Sequence, residues 1–120
     1  MQKNIRILIA EDEAIIAMCL EMDFRNAGYN VCGIVAKGED VVIRADQEKP
    51  DIILMDIGLS GKINGIEAAL QIRSHCDIPI IFMTGYQDEA MIEQANKIHK
   101  TVLFHKPVNI KDVEKAIEAF

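Results

Sequence analysis

The chain has 120 residues, half of them hydrophobic and 27% charged, with a formal net charge of −6. That describes one ordinary domain, 1–120, able to bury a core without staples. No apolar run approaches the roughly 18 residues of a membrane span, Met1 to Ile5 lacks a signal-peptide shape, and the acidic balance argues against direct nucleic-acid binding.

The first segment, "IRILIA" (5–10), is a short β-branched run that ends in the acidic "EDE". Ile16, Leu20, Phe24 and Ala27 then fall on one face of a helix, with Gly28 suited to its C-terminal stop. "YNVCGIVA" reads as strand and "GEDVVIRADQEK" as helix, with the Glu39 to Lys49 charges forming a solvated face; Pro50 marks a boundary before the strand "DIILMDI". Helix resumes near Gly65 with Ile66, Ala69 and Ile72. "IPIIFMTG" is strand, "DEAMIEQANKIH" helix, "TVLFH" strand and "NIKDVEKAIEAF" a closing helix. Five strands, each followed by a helix, predict an α/β domain: a parallel sheet with right-handed crossovers and helices on both faces. Near-continuous apolar strands such as Ile52 to Met55 fit a sheet covered on both sides.

In open α/β sheets, ligands sit in the crevice beyond the carboxyl ends of the strands. The residues ending the strands here are Glu11 and Asp12, then Asp56, then Thr84 with Gly85, and finally Lys106 before Pro107. Carboxylates a few ångströms apart repel by roughly 4 kcal/mol per pair at an effective dielectric near 20, and a divalent cation between them relieves this. Hard oxygen ligands in small number suit Mg²⁺, or Mn²⁺. A metal, Lys106 and Thr84 around Asp56 make a cradle for a phosphoryl group, with Asp56 as nucleophile forming an acyl phosphate. Other phosphate motifs fit poorly. Gly61-Lys62 is followed by Ile63 where a P-loop has Ser or Thr, and neither G-x-G-x-x-G after the first strand nor G-x-S-x-G is present.

With "ILIAEDE", "PDIILMDI", "IPIIFMTG" and "HKP" in place, the chain resembles, over its whole length, a receiver domain of two-component response regulators. The resemblance implies a flavodoxin-like strand order 2-1-3-4-5; the same order is the chemotaxis-receiver example of the general doubly wound rule. It implies a cytoplasmic switch in which Asp56 accepts phosphate from a histidine kinase or histidine phosphotransfer domain. It further implies that Asp12, Asp56 and the Gly58 carbonyl bind Mg²⁺, with Glu11 acting mostly through water. Thr84 and Lys106 would be the switch pair, and Lys106-Pro107 a cis peptide. Output would pass through the face of the fourth helix, fifth strand and fifth helix, including Met91 and Leu103, to an unknown effector domain or protein. That face is also a candidate homodimer surface, and no effector follows the fifth helix before Phe120.

The chain departs from the family pattern in three places. The loop after Asp56 is one residue longer, with Ser60, Gly61 and Asn64-Gly65, which predicts a more pliant segment. Leu103 stands where Tyr or Phe usually rotates on activation, and strand alternation turns Phe104 to the other face. Gly58 and Tyr86 occupy positions that influence hydrolysis of the acyl phosphate, and Gly58 cannot orient water, which predicts slow self-dephosphorylation.

The remaining candidates are plainer. His75, His99 and His105 have no ligand spacing, and His105 turns away from the strand-end rim. Cys19, Cys32 and Cys76 are odd in number and widely spaced, and read as small apolar residues rather than zinc ligands or a disulfide. Ile15, Met18, Cys19 and Met22 are either core filler or a docking face for a kinase or phosphotransfer helix. An aspartate-based phosphohydrolase or phosphotransfer enzyme is the alternative function. A haloacid-dehalogenase-type enzyme would want a second Asp where Gly58 stands, and no cap segment is present. A degenerate receiver acting only as a binding module is disfavoured by the intact acidic pair, Asp56, Thr84 and Lys106.

Overall fold

The computed structural model describes residues 4–85 and 89–120. Five strands alternate with five helices: β1 (Arg6–Ala10), α1 (Ala14–Asn26), β2 (Asn30–Val35), α2 (Gly38–Glu48), β3 (Ile52–Asp56), α3 (Gly65–Arg73), β4 (Ile80–Thr84), α4 (Glu89–Asn96), β5 (Thr101–His105) and α5 (Ile110–Ala119). The strands form one parallel sheet in the order β2-β1-β3-β4-β5. Asp88, expected to open the fourth helix, lies outside the described residues.

Every residue of β3 and β4 is buried, as continuous apolar runs in the middle of a two-sided sheet must be. Alternation divides their side chains between two cores. Ile53, Met55, Ile80 and Phe82 pack on the side of α2, α3 and α4, with Val41, Ala69, Ile72 and Ala95. Ile52, Leu54, Ile81 and Met83 pack on the side of α1 and α5, with Leu20, Phe24, Val113 and Ile117. Leu103 belongs to the first side with Met91, and Phe104 to the second. The core stripe of α1 is the predicted one, widened at its start by Ala17. Leu20 and Phe24 are buried in the α1-side core, Ile16 and Ala27 pack against it part-buried, and Ala17 is buried as well.

Helix ends follow local chemistry. Gly28 has φ +96° just beyond α1, a conformation that favours glycine. α3 opens on a capping box: the Asn64 side chain accepts from Glu67 N at 2.9 Å, and the Glu67 carboxylate accepts from Asn64 N at 2.9 Å. β2 carries an irregularity opposite Ile7 and Leu8 that leaves Cys32 out of the ladder, its thiol donating to the Ile7 carbonyl at 3.5 Å. Cys19 and Cys76 are exposed thiols rather than core residues.

Candidate functional site

Parallel strands all run the same way, so their last residues share one edge of the sheet. β1 delivers Glu11, whose N–H still pairs with the Val35 carbonyl at 2.9 Å, and Asp12 follows on the exposed turn into α1. β3 ends in Asp56, which is 4% exposed, and β4 in Thr84, 1% exposed. Lys106 follows β5 and precedes Pro107 across a cis peptide bond. Its N–H donates to the Thr84 carbonyl at 2.8 Å, which ties the two strand ends together.

The side chains converge as the sequence predicts. Glu11, Asp12 and Asp56 each offer an oxygen within 4.8 Å of the others. Lys106 Nζ lies 2.8 Å from Glu11 Oε1 and donates to Asp56 Oδ2 at 3.1 Å. The second oxygens hold the backbone: Asp56 Oδ1 accepts from Gly58 N at 3.0 Å, and Glu11 Oε2 from Glu13 N at 3.0 Å. The approach of Nζ to Glu11 Oε1 is a charge contact rather than an aligned hydrogen bond, and this oxygen is buried without an aligned donor.

Burial pushes the Glu11 carboxyl above its usual range, with the Asp56 charge reinforcing it and Lys106 and the Glu13 N–H opposing. Burial alone would lower the Lys106 ammonium. Its contacts with Glu11 and Asp56 outweigh that and hold it above the ordinary lysine value. Three carboxylates against one ammonium leave two negative charges unbalanced. A hard divalent cation fits this group on two grounds: its donors are all oxygen, and the buried Glu11 oxygen still lacks an aligned donor.

Glycine makes the Asp56 position possible. A Cβ on Gly65 would come within 2.1 Å of the Asp56 carbonyl oxygen and 3.0 Å of Ile57 Cα, so α3 can start directly behind β3 only without a side chain there. The loop between them is also tied more firmly than its glycines predict. Lys37 and Ser60 form a parallel bridge, Gly38 N donates to the Ser60 carbonyl at 3.2 Å, and the Glu39 carboxylate accepts from Lys62 N at 2.9 Å. Composition hid Glu39, which sequence reasoning leaves on a solvated face; only its contact across 23 residues reveals it. The Asn64 and Glu67 cap did have a sequence signal, the N-x-x-E spacing.

The remaining expectations sort quickly. His75, His99 and His105 are exposed. Tyr86 lies outside the described residues. A cavity of about 820 Å³ opens between α2 and the end of α3, lined by Val42, Ala45, Ile72, His75, Cys76 and Ile78. It adjoins the amino ends of β3 and β4 and contains none of the strand-end carboxylates, so chemistry rather than concavity locates the site.

An open doubly wound sheet with an acidic notch and a lysine at its carboxyl edge places the candidate site where this class of α/β fold binds its ligands. Residues 7–118 match the model of the response regulator receiver domain, and the chain belongs to that family. It is 36% identical over 113 residues to the transcriptional regulatory protein PdtaR of Mycobacterium tuberculosis, covering 94% of this chain and 55% of that protein. It is 29% identical to the alkaline phosphatase synthesis transcriptional regulatory protein PhoP of Bacillus subtilis, covering 97% and 48%. The chain thus spans about half the length of these curated relatives. The receiver domain of a modulated diguanylate cyclase from Desulfovibrio desulfuricans superposes with a TM-score of 0.90 at 34% identity, covering 97% of this chain and 92% of that one. The receiver domain of a sensor histidine kinase from Pseudomonas aeruginosa superposes at 0.85 with 26% identity, covering 97% and 96%, and holds a magnesium ion in its active-site cleft.

Proposed function

We propose that residues 1–120 form a single receiver domain in which Asp56 is the phosphoacceptor of a two-component switch. The observation that carries this reading is the Lys106 ammonium seated between Glu11 and Asp56, with Asp12 beside them at the strand ends. A histidine kinase or histidine phosphotransfer domain would supply the phosphoryl group. An Asp56 oxygen attacks phosphorus, the P–O bond forms as the P–N bond to the donor imidazole breaks, and the imidazole leaves with a proton from solvent. Magnesium, or manganese, held by Asp12, Asp56 and the Gly58 carbonyl, with Glu11 acting mostly through water, would neutralise charge on the transferring oxygens. Lys106 supplies a fixed cation to the same group, and the Thr84 hydroxyl a hydrogen bond once it turns toward the phosphoryl oxygens.

The new dianion then biases a conformational equilibrium. A tenfold change in the active fraction at low occupancy requires about 1.4 kcal/mol of differential stabilisation, within the reach of one or two charge-assisted hydrogen bonds. Thr84 joins Lys106 through the backbone, and Leu103 and Met91 pack against the core on the α4 side. Movement there would re-pack the face of α4, β5 and α5, the proposed output and homodimer surface. Leu103 would transmit this by repacking rather than by aromatic rotation. The exposed Ile15, Met18 and Met22 on α1 suit a docking helix of the phosphodonor. A cytoplasmic setting follows from such a donor.

Mg²⁺-dependent, stoichiometric capture of beryllofluoride, or of phosphate from acetyl phosphate, supports this reading, with loss of capture in Asp56→Asn. Multiple turnover on a free phosphoester would support the phosphohydrolase alternative instead. Gly58 weighs against the latter, since no acid or base stands two residues after the nucleophile.

A further inference from the structure

We infer that Glu39 is a positioning residue for the phosphorylation site, acting across the gap between α2 and the β3–α3 loop to hold the loop that carries Gly58. The inference rests on the receiver reading of the site and adds a residue outside the strand-end group. The loop 57–64 contains Gly58 and Gly61, the latter at φ +101°, and such glycines leave its backbone with unusual freedom unless something restrains it.

The restraints come from the first turn of α2. Glu39 Oε1 accepts from Lys62 N at 2.9 Å, Gly38 N donates to the Ser60 carbonyl at 3.2 Å, and the Ser60 hydroxyl donates to the Ala36 carbonyl at 3.4 Å. Fit is close at both glycines. A Cβ on Gly61 would stand 2.4 Å from Glu39 Oε1, and one on Gly38 would stand 2.1 Å from the Ile63 carbonyl oxygen. The Glu39 carboxyl is held below its usual range by its own backbone N–H and then by that of Lys62, against a small opposing effect of burial. Glu39 therefore presents an ionised acceptor at neutral pH, the stronger kind.

Lys62 is four residues beyond Gly58, whose N–H already donates to Asp56 Oδ1 at 3.0 Å. Beyond that hydrogen bond, the orientation of the Gly58 carbonyl follows the path of the backbone toward Lys62. Fixing the tip of the loop from α2 restricts that path. Glu39 touches neither phosphoryl group nor metal; it acts through Lys62.

The test compares the wild-type chain with Glu39→Ala, Glu39→Gln and Gly61→Ala. Amide exchange at Lys62 is followed by NMR without metal, Mg²⁺ binding by calorimetry, and the fold by circular dichroism. Glu39→Ala should speed exchange at Lys62 by about tenfold, the loss of one charge-assisted bond. It should weaken Mg²⁺ binding by about tenfold, the low end for partners outside the ligand shell. Gly61→Ala should do at least as much, since its Cβ would crowd Oε1 and its φ of +101° disfavours any side chain. Glu39→Gln keeps an acceptor oxygen and should recover most of the Mg²⁺ affinity, which a general loss of stability would not. Unchanged exchange at Lys62 in Glu39→Ala overturns the inference, as does faster exchange with wild-type Mg²⁺ affinity, or Glu39→Gln no better than Glu39→Ala. A wild-type chain that binds no Mg²⁺ overturns the reading of the site itself, and the exchange data then still report whether the loop is held.

Discussion

Asp56→Asn keeps the shape of the acceptor and removes one of three carboxylates that lie within 4.8 Å of one another. At an effective dielectric near 20, each pair at that distance repels by about 3.5 kcal/mol, so the substitution relieves two such repulsions. It also forfeits the attraction to Lys106 Nζ at 3.1 Å, about 5 kcal/mol on the same scale. Asp12 is exposed, so its share is partly screened. The balance is a metal-free variant between equal in stability and about 2 kcal/mol more stable, or up to roughly 8 °C in melting temperature for a domain of this size. Asn Oδ1 can still accept from Gly58 N, so the turn after β3 is kept. Mg²⁺ should reverse the order. It stabilises only a chain that binds it, by about 2.7 kcal/mol at a hundred times its dissociation constant. Calorimetric melts of both proteins, in EDTA and in Mg²⁺ at low salt, check this. Destabilisation of Asp56→Asn by more than about 1 kcal/mol in EDTA would refute the claim that repulsion dominates the notch. Equal stabilisation of both chains by Mg²⁺ would refute Asp56 as a ligand.

Glu11 sets a pH dependence of known sign. Its carboxyl is raised by burial, so its contribution to stability is fully present below the unfolded value of 4.5 and is lost as pH rises through the higher folded value. Urea melts without metal should therefore show wild type losing stability over that interval relative to Glu11→Gln, and parallel curves would contradict the assignment. Gly65→Ala should cost about 1–3 kcal/mol through its clash with the Asp56 carbonyl, and should weaken beryllofluoride capture; wild-type stability would show that the strand end yields freely. The phosphorylated chain with Mg²⁺ should keep its label for minutes or longer, since Gly58 orients no water; loss within seconds would contradict that. Met18→Ala or Met22→Ala should slow transfer from a cognate phosphodonor while leaving labelling by acetyl phosphate unchanged, and undiminished transfer would remove α1 as the docking face.

β5 and the β3–α3 loop are held by different forces. Leu103 and Met91 pack against the α4-side core, so a signal passing through β5, as proposed, would depend on dispersion contacts. The β3–α3 loop depends on a few hydrogen bonds to α2, which are directional and lost one at a time. The two segments flank the notch from opposite sides of the sheet order, through β2–α2 and through β5.

The sequence by itself determined what depends on neighbours along the chain. Alternating periodicity marked all five strands and five helices, and β5 begins and ends where it was expected, at Thr101 and His105. Because the strands are parallel, naming their last residues was enough to assemble Glu11, Asp12, Asp56, Thr84 and Lys106 at one edge. Tertiary structure decided what depends on distance through space. Ala17 is buried beside the stripe of Ile16, Leu20, Phe24 and Ala27 because helix docking, not spacing alone, sets how wide a face is covered. Gly65 is needed because a carbonyl of β3 lies against it, and Glu39 matters because the Lys62 N–H comes to meet it. Periodicity records which face of an element is apolar; it carries no trace of a hydrogen bond or a close approach between residues that only folding brings together.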